Sequence, residues 1–443
     1  MFDPKPDDLT IIGRVNFRSD RRLFGIKRAD RRQHMHLLGQ TGTGKSTTLL
    51  AMIVQDIARG EGVGVIDPHG DLAERVLGLV PPRRINDVIY FDPSDIEYPI
   101  GLNILDIVQL GHADFQTQRV LVSSGVVSVL KKLWADSWGP RLEHFLRSAV
   151  LALLDVPGST LLGVSRIFSD EDFRERIVAR CRDPVVRDFW LREFPSYNSQ
   201  FRAEAVSPIL NKVGQFLSTG VIRNIVGQSR SGFDISAAMN SGKILVANLA
   251  KGKIGEDNSS LLGALLVTRF QLAAMARAKI AEEARRDFYL YVDEFQNFTT
   301  QAFGTILSEA RKYRLSMILA HQFVAQLPQE VANSIFGNVG SVLGFRLGAD
   351  DATILEQEFQ PTFTKDDLLR IENHAACIRL MVDGTPVSPF SMVTVRSVAS
   401  ARPVSTHTAK IIPISRERYA RARAAVEEAI AAFMRSSQEQ EQS

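Results

Sequence analysis

The chain has 443 residues, of which 45% are apolar and 23% charged, with a net charge of +3. This is the balance of an ordinary folded protein of about two or three domains, and it excludes bulk electrostatics as a reason to invoke a polyanionic partner. The two cysteines, Cys181 and Cys377, lie far apart and have no histidines at metal-ligand spacing, which excludes a disulfide framework and a zinc site.

From the N-terminus, Met1 to Thr10 is acidic and proline-containing, unlike a signal peptide, so a cytoplasmic location is expected. Between Arg14 and Arg32 stand eight basic residues against Asp20 and Asp30 alone. Such a cluster suits either phosphate contact or a solvated lead-in to the first strand. The apolar segment Met35 to Leu38 runs directly into Gly39-Gln40-Thr41-Gly42-Thr43-Gly44-Lys45-Ser46, which fits the phosphate-cradling pattern G-x-x-x-x-G-K-[ST] at every fixed position. Glycines let the backbone curl around an anion and turn successive N–H groups inward. Lys45 to Arg59 then reads as a helix stopped by Gly60, because Leu49, Leu50, Ile53, Val54 and Ile57 recur at helical spacing. Its N-terminal dipole adds to the anion field. Gly39, Thr41, Gly42, Thr43, Gly44, Lys45, Ser46 and Thr47 are therefore the expected nucleotide-binding residues. Lys45 is expected on the β and γ phosphates, Ser46 on Mg2+ and Thr47 on the α-phosphate.

Val63 to Ile66 and Val88 to Phe91 read as buried parallel strands. Strand, helix, strand, strand opens an α/β sheet whose ligands gather at the strands' carboxyl ends. Asp67, His69 and Asp71 either approach the nucleotide there or cap the next helix. From about Ala113 to Gly227 strand signals almost vanish and helices follow one another: Phe115 to Trp134, Arg141 to Leu154, Asp170 to Cys181, Pro184 to Phe194 and Ala203 to Leu217. No apolar run approaches the ~18 residues needed to cross a bilayer; Val120 to Leu130 is broken by serines and ends in two lysines. Trp134, Trp138 and Trp190 all fall in this helical region, as core residues or a gripping surface.

The sheet resumes with Lys243 to Asn248, a long helix from Ser259 to about Ala284, and the strand that ends in Val292-Asp293-Glu294. A magnesium nucleotide needs a second protein ligand beyond Ser46, and a carboxylate at a buried strand end supplies it; Asp293 is assigned to the metal and Glu294 to the catalytic base. A helix from Thr300 to Arg311 precedes the strand Ser316 to Ala320, after which Gln322 is placed to contact the γ-phosphate or the lytic water. Strand candidates at Ser341 to Leu347 and Ala376 to Val382 extend the sheet, and past Arg402 come a linker, a helix from Arg416 to Met434 and a Gln/Glu/Ser tail expected to be disordered.

Gly39 to Ser46, Asp67 to Asp71, Tyr291 to Asn297 and Ala320 to Gln322 together resemble the HerA/FtsK superfamily of P-loop motors. The inserted helices, the phrase Val292 to Asn297 and the segment Arg311 to Arg314 are most similar to the VirD4/TraG/TraD coupling proteins of conjugation and type IV secretion. The resemblance spans roughly residues 10 to 400. It implies a RecA-like P-loop NTPase fold with a mostly parallel central sheet and an inserted all-helical domain, divided as 1–110 (lead-in and first part of the motor), 111–235 (helical insertion), 236–400 (second part of the motor) and 401–443 (linker, helix, tail).

It also implies an ATPase coupled to DNA translocation with ATP and Mg2+, a homo-hexamer with ATP sites between neighbours, relaxosome or protein cargo met by the helical domain, and secretion-channel proteins as further partners. Arg311 matches the family's arginine that reaches a neighbour's γ-phosphate; Arg314 and Arg346 are alternatives. Because the N-terminal transmembrane helices of membrane-bound coupling proteins have no counterpart at the start of this sequence, attachment at the inner membrane is expected only through a partner. A HerA-type DNA-end-processing helicase and a nucleotide-switched cargo adaptor are the competing readings.

Overall fold

Eleven strands of the computed structural model, which describes residues 9–107, 112–300, 303–395 and 407–435, form one sheet. In chain order they are β1 (Leu9–Val15), β2 (Leu23–Lys27), β3 (Met35–Leu38), β4 (Gly62–Asp67), β5 (Val88–Phe91), β6 (Ile244–Asn248), β7 (Phe288–Val292), β8 (Leu315–His321), β9 (Ser341–Gly344) and β10 (Ala375–Arg379). A two-stranded hairpin, β11 (Met381–Val382) and β12 (Thr385–Pro386), stands apart from the sheet, and β13 (Phe390–Thr394) completes it. The order across the sheet is β2-β1-β13-β10-β9-β3-β8-β7-β4-β6-β5.

From β9 to β5 every neighbouring pair is parallel, whereas β10, β13, β1 and β2 are joined antiparallel. The parallel members are buried on both faces, which is why they read as unbroken apolar runs in the sequence. The antiparallel flank alternates buried and half-exposed positions, as in β1 and β13, and three of its strands (β1, β2, β13) carried no such signal. The helix Lys45–Arg59 packs Leu49, Leu50, Ile53 and Ile57 into the same core as Leu37, Val63, Val65 and Tyr291. Full burial of each such aliphatic side chain contributes roughly 1.5–3 kcal/mol. Gly60 ends this helix at φ 87°, a conformation that glycine adopts without a Cβ penalty.

The basic stretch before β3 is not uniformly solvated. Arg31 is 2% exposed and pairs with Asp56 through both terminal nitrogens, at 2.7 and 2.8 Å, while the Tyr291 hydroxyl donates to the same carboxylate at 2.6 Å. This network fastens the helix Lys45–Arg59 to β7. Arg32 pairs with Asp287 at the start of the same strand.

The chain divides into two units: residues 1–91, 235–250 and 273–415 carry the sheet, and residues 92–234, 251–272 and 416–443 form the other. The second unit is helical, including His112–Leu133, Pro140–Leu154, Leu162–Ser169, Glu171–Ala179, Ser199–Ser218 and Gly220–Val226. Its core holds Phe145, Phe168, Phe189, Trp190 and Phe194, with Trp190 and Phe194 ring centroids 5.1 Å apart. Trp134 is also buried, whereas Trp138 is half-buried and donates to Glu143 at 2.9 Å.

Near the C-terminus the helix expected from Arg416 to Met434 is two helices, Thr408–Tyr419 and Arg423–Met434. The expected linker just past Arg402 and the Gln/Glu/Ser tail lie outside the described residues. The long helix of the third region starts earlier than expected, at Glu256. Residues Glu256–Lys279 are long and apolar enough to cross a membrane by composition, but 67% of their most apolar 18-residue window is buried inside the protein, as in a core helix.

Candidate nucleotide site

The carboxyl ends of β3, β8 and β7 lie side by side, with β8 between the other two. β3 delivers the phosphate loop. Gly42 takes φ 77° and Gly44 φ 126°, and a Cβ on Gly42 would meet nothing within 4 Å, so this part of the loop is open. Gly44 supplies no side-chain cap to the helix that follows, which leaves first-turn N–H groups for an anion. Gly39 serves packing instead: a Cβ there would lie 2.5 Å from Phe345 Cβ. Thr43 is buried with its hydroxyl on the Gln40 carbonyl, Thr41 is exposed, and Ser46 and Thr47 are half-buried at the helix start.

Lys45 is 5% exposed and donates to the carbonyls of Gly39 and Gln40 at 2.5 and 3.2 Å. Burial lowers its pKa, while the nearby Glu294 and Asp293 carboxylates hold it up. Ser46 Oγ donates to Asp293 Oδ2 at 3.3 Å, which brings together the two hard oxygens assigned to the metal. Burial pushes the Asp293 carboxyl up to about 6, aided by repulsion from Glu294 and Asp67 and opposed by Lys45. A desolvated carboxylate with too few cations around it is what a divalent ion would relieve. The residues present therefore fit a magnesium nucleotide.

Glu294 sits at φ 46°, a strained conformation for a residue with a Cβ. Its carboxylate accepts from Gln322 Nε2 at 2.8 Å and from Gln296 Nε2 at 2.7 Å, its carbonyl accepts from Asn297 Nδ2 at 2.9 Å, and its N–H donates to Asp293 at 3.0 Å. The turn after β7 is thus wound around one carboxylate. Gln322 touches that carboxylate directly, so the end of β8 is coupled to the end of β7. Gln296 had no role assigned from sequence; its spacing two residues past Glu294, in a tight turn, is the signal that was there.

Below the loop, His36 Nε2 and His321 Nδ1 lie 3.0 Å apart in stacked rings, and the His321 carbonyl accepts from Gly39 N at 3.3 Å. Burial drives His36 down to about 3 and His321 well below its usual range, so both are neutral and can share one hydrogen. The pair ties β3 to β8 where Gln322 leaves the strand.

Asp67 lies within electrostatic reach of Asp293, but its oxygens accept from His69 N and Ala73 N at 2.9 and 3.0 Å, which is a helix-start role. His69 and Asp71 are exposed. Arg311 is exposed in the turn before β8, at the opposite end of that strand from Gln322. Seven strand residues separate them, about 20 Å, so Arg311 does not reach the phosphate loop of its own chain. Arg314 is committed to the Arg285 carbonyl at 2.9 Å, and Arg346 Nε lies 3.3 Å from Gln40 in its own loop.

Two family profiles match stretches that carry these residues: one described as "Helicase HerA, central domain" over residues 27–132, and one described as "TraM recognition site of TraD and TraG" over residues 287–357. The type 4 coupling protein DotL of Legionella pneumophila is 24% identical over 351 residues, covering 66% of this chain and 44% of that protein. Over these stretches the chain is similar to P-loop proteins of the VirD4/TraG coupling-protein type. It spans less than half the length of that curated relative. Among solved structures, the plasmid coupling protein TrwB in complex with a non-hydrolysable ATP analogue superposes with a TM-score of 0.63 at 15% identity, over 91% of this chain and 92% of that one. TrwB with ADP and Mg2+ gives 0.62 at 15% identity over 89% and 90%, and VirB4 of Thermoanaerobacter pseudethanolicus gives 0.57 at 15% identity over 90% and 99%. These likenesses establish the fold, a mostly parallel sheet of the RecA-like P-loop kind.

Proposed function

We propose that this chain hydrolyses ATP to drive DNA, alone or with bound protein, through a ring of six copies, as a conjugative coupling protein located in the cytoplasm or held at the inner membrane by a partner. The observation that carries this reading is the Glu294 carboxylate held by Gln322 and Gln296 beside Asp293 and Ser46, at the edge where the phosphate loop opens. The profile over residues 287–357 and the likeness to TrwB and DotL support the coupling-protein branch and a relaxosome partner.

Ser46 and Asp293 would hold Mg2+, which when bound with ATP supplies charge neutralisation on the phosphoryl oxygens. Lys45 and the loop N–H groups receive the phosphates. Glu294 takes a proton from the attacking water, and the Gln322 and Gln296 amides hold the carboxylate facing it. Gln322 also provides the link from the nucleotide state to β8. Arg311, remote from its own loop and exposed, acts on the phosphate of a neighbouring copy, so hydrolysis needs the assembled ring. The profile over residues 27–132 favours a second reading, a HerA-type DNA-end-processing helicase that shares this chemistry but requires a nuclease partner.

The test is ATP-driven displacement of streptavidin from end-biotinylated DNA by the purified chain. Displacement that requires hydrolysable ATP supports translocation. ATP turnover in the presence of DNA without displacement contradicts it.

A further inference from the structure

The basic stretch from Arg14 to Arg32, ambiguous by composition, divides in two according to what its side chains meet. Lys27, Arg28, Arg31 and Arg32 each pair with a carboxylate, those of Asp383, Glu61, Asp56 and Asp287 in that order. Arg22 pairs with Asp20 at 2.7 Å, and its hydrogen bonds hold the Asp20 carboxyl down to about 2. The other acid of the stretch, Asp30, is buried and accepts from the backbone N–H groups of Asp383 and Gly384 at 3.0 and 2.9 Å. Arg14, Arg18 and Arg21 are left with no carboxylate partner among the described residues.

All three are exposed and share one antiparallel hairpin, Arg14 near the end of β1 and Arg18 and Arg21 in the connection to β2. They are ordered there. Arg14 Nη1 donates to the Arg21 carbonyl at 2.8 Å, and Arg21 Nη1 donates to the carbonyls of Arg18 and Asp20 at 3.1 and 2.8 Å. Each guanidinium is thus held through one nitrogen, while its Nε and Nη2 make no hydrogen bond among the described residues. Arg18 takes φ 55°, uncommon for a residue with a Cβ, and its guanidinium lies 5.2 Å from the Phe17 ring. Phe17 meets Phe363 edge-on at 5.7 Å, which anchors the turn.

We propose that the tip of the β1–β2 hairpin contacts the phosphate backbone of DNA through Arg18 and Arg21, at a place separate from the nucleotide site. The proposal rests on the reading of this chain as a DNA motor and adds to it a surface of the sheet-bearing unit where the polymer is held. Three unneutralised like charges on one hairpin repel one another, and a polyanion relieves that repulsion. Guanidinium forks with two free nitrogens match phosphate oxygens in pairs. An anionic lipid surface offers similar phosphates, but its capture takes clusters of about four to eight basic residues. Three suit a polymer already gripped elsewhere, because each added contact then forms at a high effective concentration.

Fluorescence anisotropy of the full chain with a labelled duplex and a labelled single strand, read from about 50 to 200 mM salt, tests this. Arg14 also borders a cavity beside the phosphate loop, so it is kept in place. Arg18→Ala/Arg21→Ala should bind the preferred form of DNA about tenfold more weakly at the low-salt end. The slope of log affinity against log salt should become shallower by about 2, one unit per lost phosphate contact. ATP affinity should match that of the wild type, which shows that the double variant folds. Arg187→Ala/Arg192→Ala removes the same charge from exposed positions of the helical unit and should leave the slope unchanged. Affinity and slope unmoved in Arg18→Ala/Arg21→Ala, or an equal loss in Arg187→Ala/Arg192→Ala, overturns the hairpin contact and leaves the motor reading intact. A wild type that binds neither form of DNA overturns both.

Discussion

On one flank of the phosphate loop, β8 and β7 end in carboxylates and amides that bond one another; on the other, the ends of β10 and β13 meet β1 around a cavity lined by Arg14, Asn373, His374, Val393, Thr394 and Val395. The first flank holds the Glu294 carboxylate between two amides, and burial, with repulsion from Glu294 and Asp67, holds the Asp293 carboxyl up at about 6. On the second, Thr394 Oγ1 and His374 Nδ1 are buried without a hydrogen-bond partner among the described residues. Carboxylates held by amides suit the end of a nucleotide where bonds break and charge moves. The contrast teaches that the two sides of a single phosphate loop can differ in carboxylate content, with β3 as the divide.

The sharpest way to break that contrast is to disable the chemical flank alone. Glu294→Gln should keep ATP binding and lower hydrolysis by about 10²–10⁴-fold, since it removes the base and keeps the shape. Arg311→Ala subunits should be equally poor alone, and mixing the two variants should restore activity at interfaces that carry one intact set; no recovery in a steady-state assay would remove Arg311 from its role across the seam.

Next in size is the mounting of the helix Lys45–Arg59 on β7. Asp56→Ala leaves Arg31 buried without its partner and should cost about 3–5 kcal/mol in denaturant unfolding. A further variant, Gln322→Ala, frees one oxygen of Glu294 and should lower turnover about tenfold with nucleotide affinity unchanged, a split that rapid-quench and binding measurements resolve.

The smallest effect is acidification. His34 accepts from Met317 N at 3.1 Å through Nδ1, so that nitrogen must stay unprotonated, and burial lowers His34 to about 4 and His36 to about 3. Unfolded histidines take up protons near 6.5, so below that pH the unfolded chain binds more protons than the folded one and stability falls as pH drops. Between pH 7 and 6 the loss should be roughly 1 kcal/mol, and amide exchange should rise first in β8. A stability that is flat or rises over that interval would show that these two side chains are not held neutral.

How much of this was legible in the sequence follows the same divide. The chemical flank is written in short consecutive strings, Gly39 to Ser46 and Val292 to Asn297, with Gln322 at the end of an apolar run. Phosphate and metal chemistry demand those residue types at fixed spacing. The parallel strands were readable because both of their faces are buried. The opposite flank was not readable, because Arg14, His374 and Thr394 come from distant parts of the chain and become neighbours only through antiparallel pairing of half-exposed strands. The basic stretch from Arg14 to Arg32 was ambiguous for a related reason: composition does not say that Arg31 finds Asp56 in the core while Arg14 borders a cavity. Glu294's two amide partners were visible as letters, but the bond from Gln322 depends on β8 lying next to β7.

The central claim is that the energy of ATP hydrolysis at Lys45, Asp293 and Glu294 is coupled to DNA. Steady-state ATP hydrolysis by the purified chain, measured at low salt with and without single- and double-stranded DNA, tests it most directly, since phosphate contacts are strongest there. The expected result is a DNA-stimulated rate that Glu294→Gln abolishes. A rate that neither form of DNA raises would contradict the account.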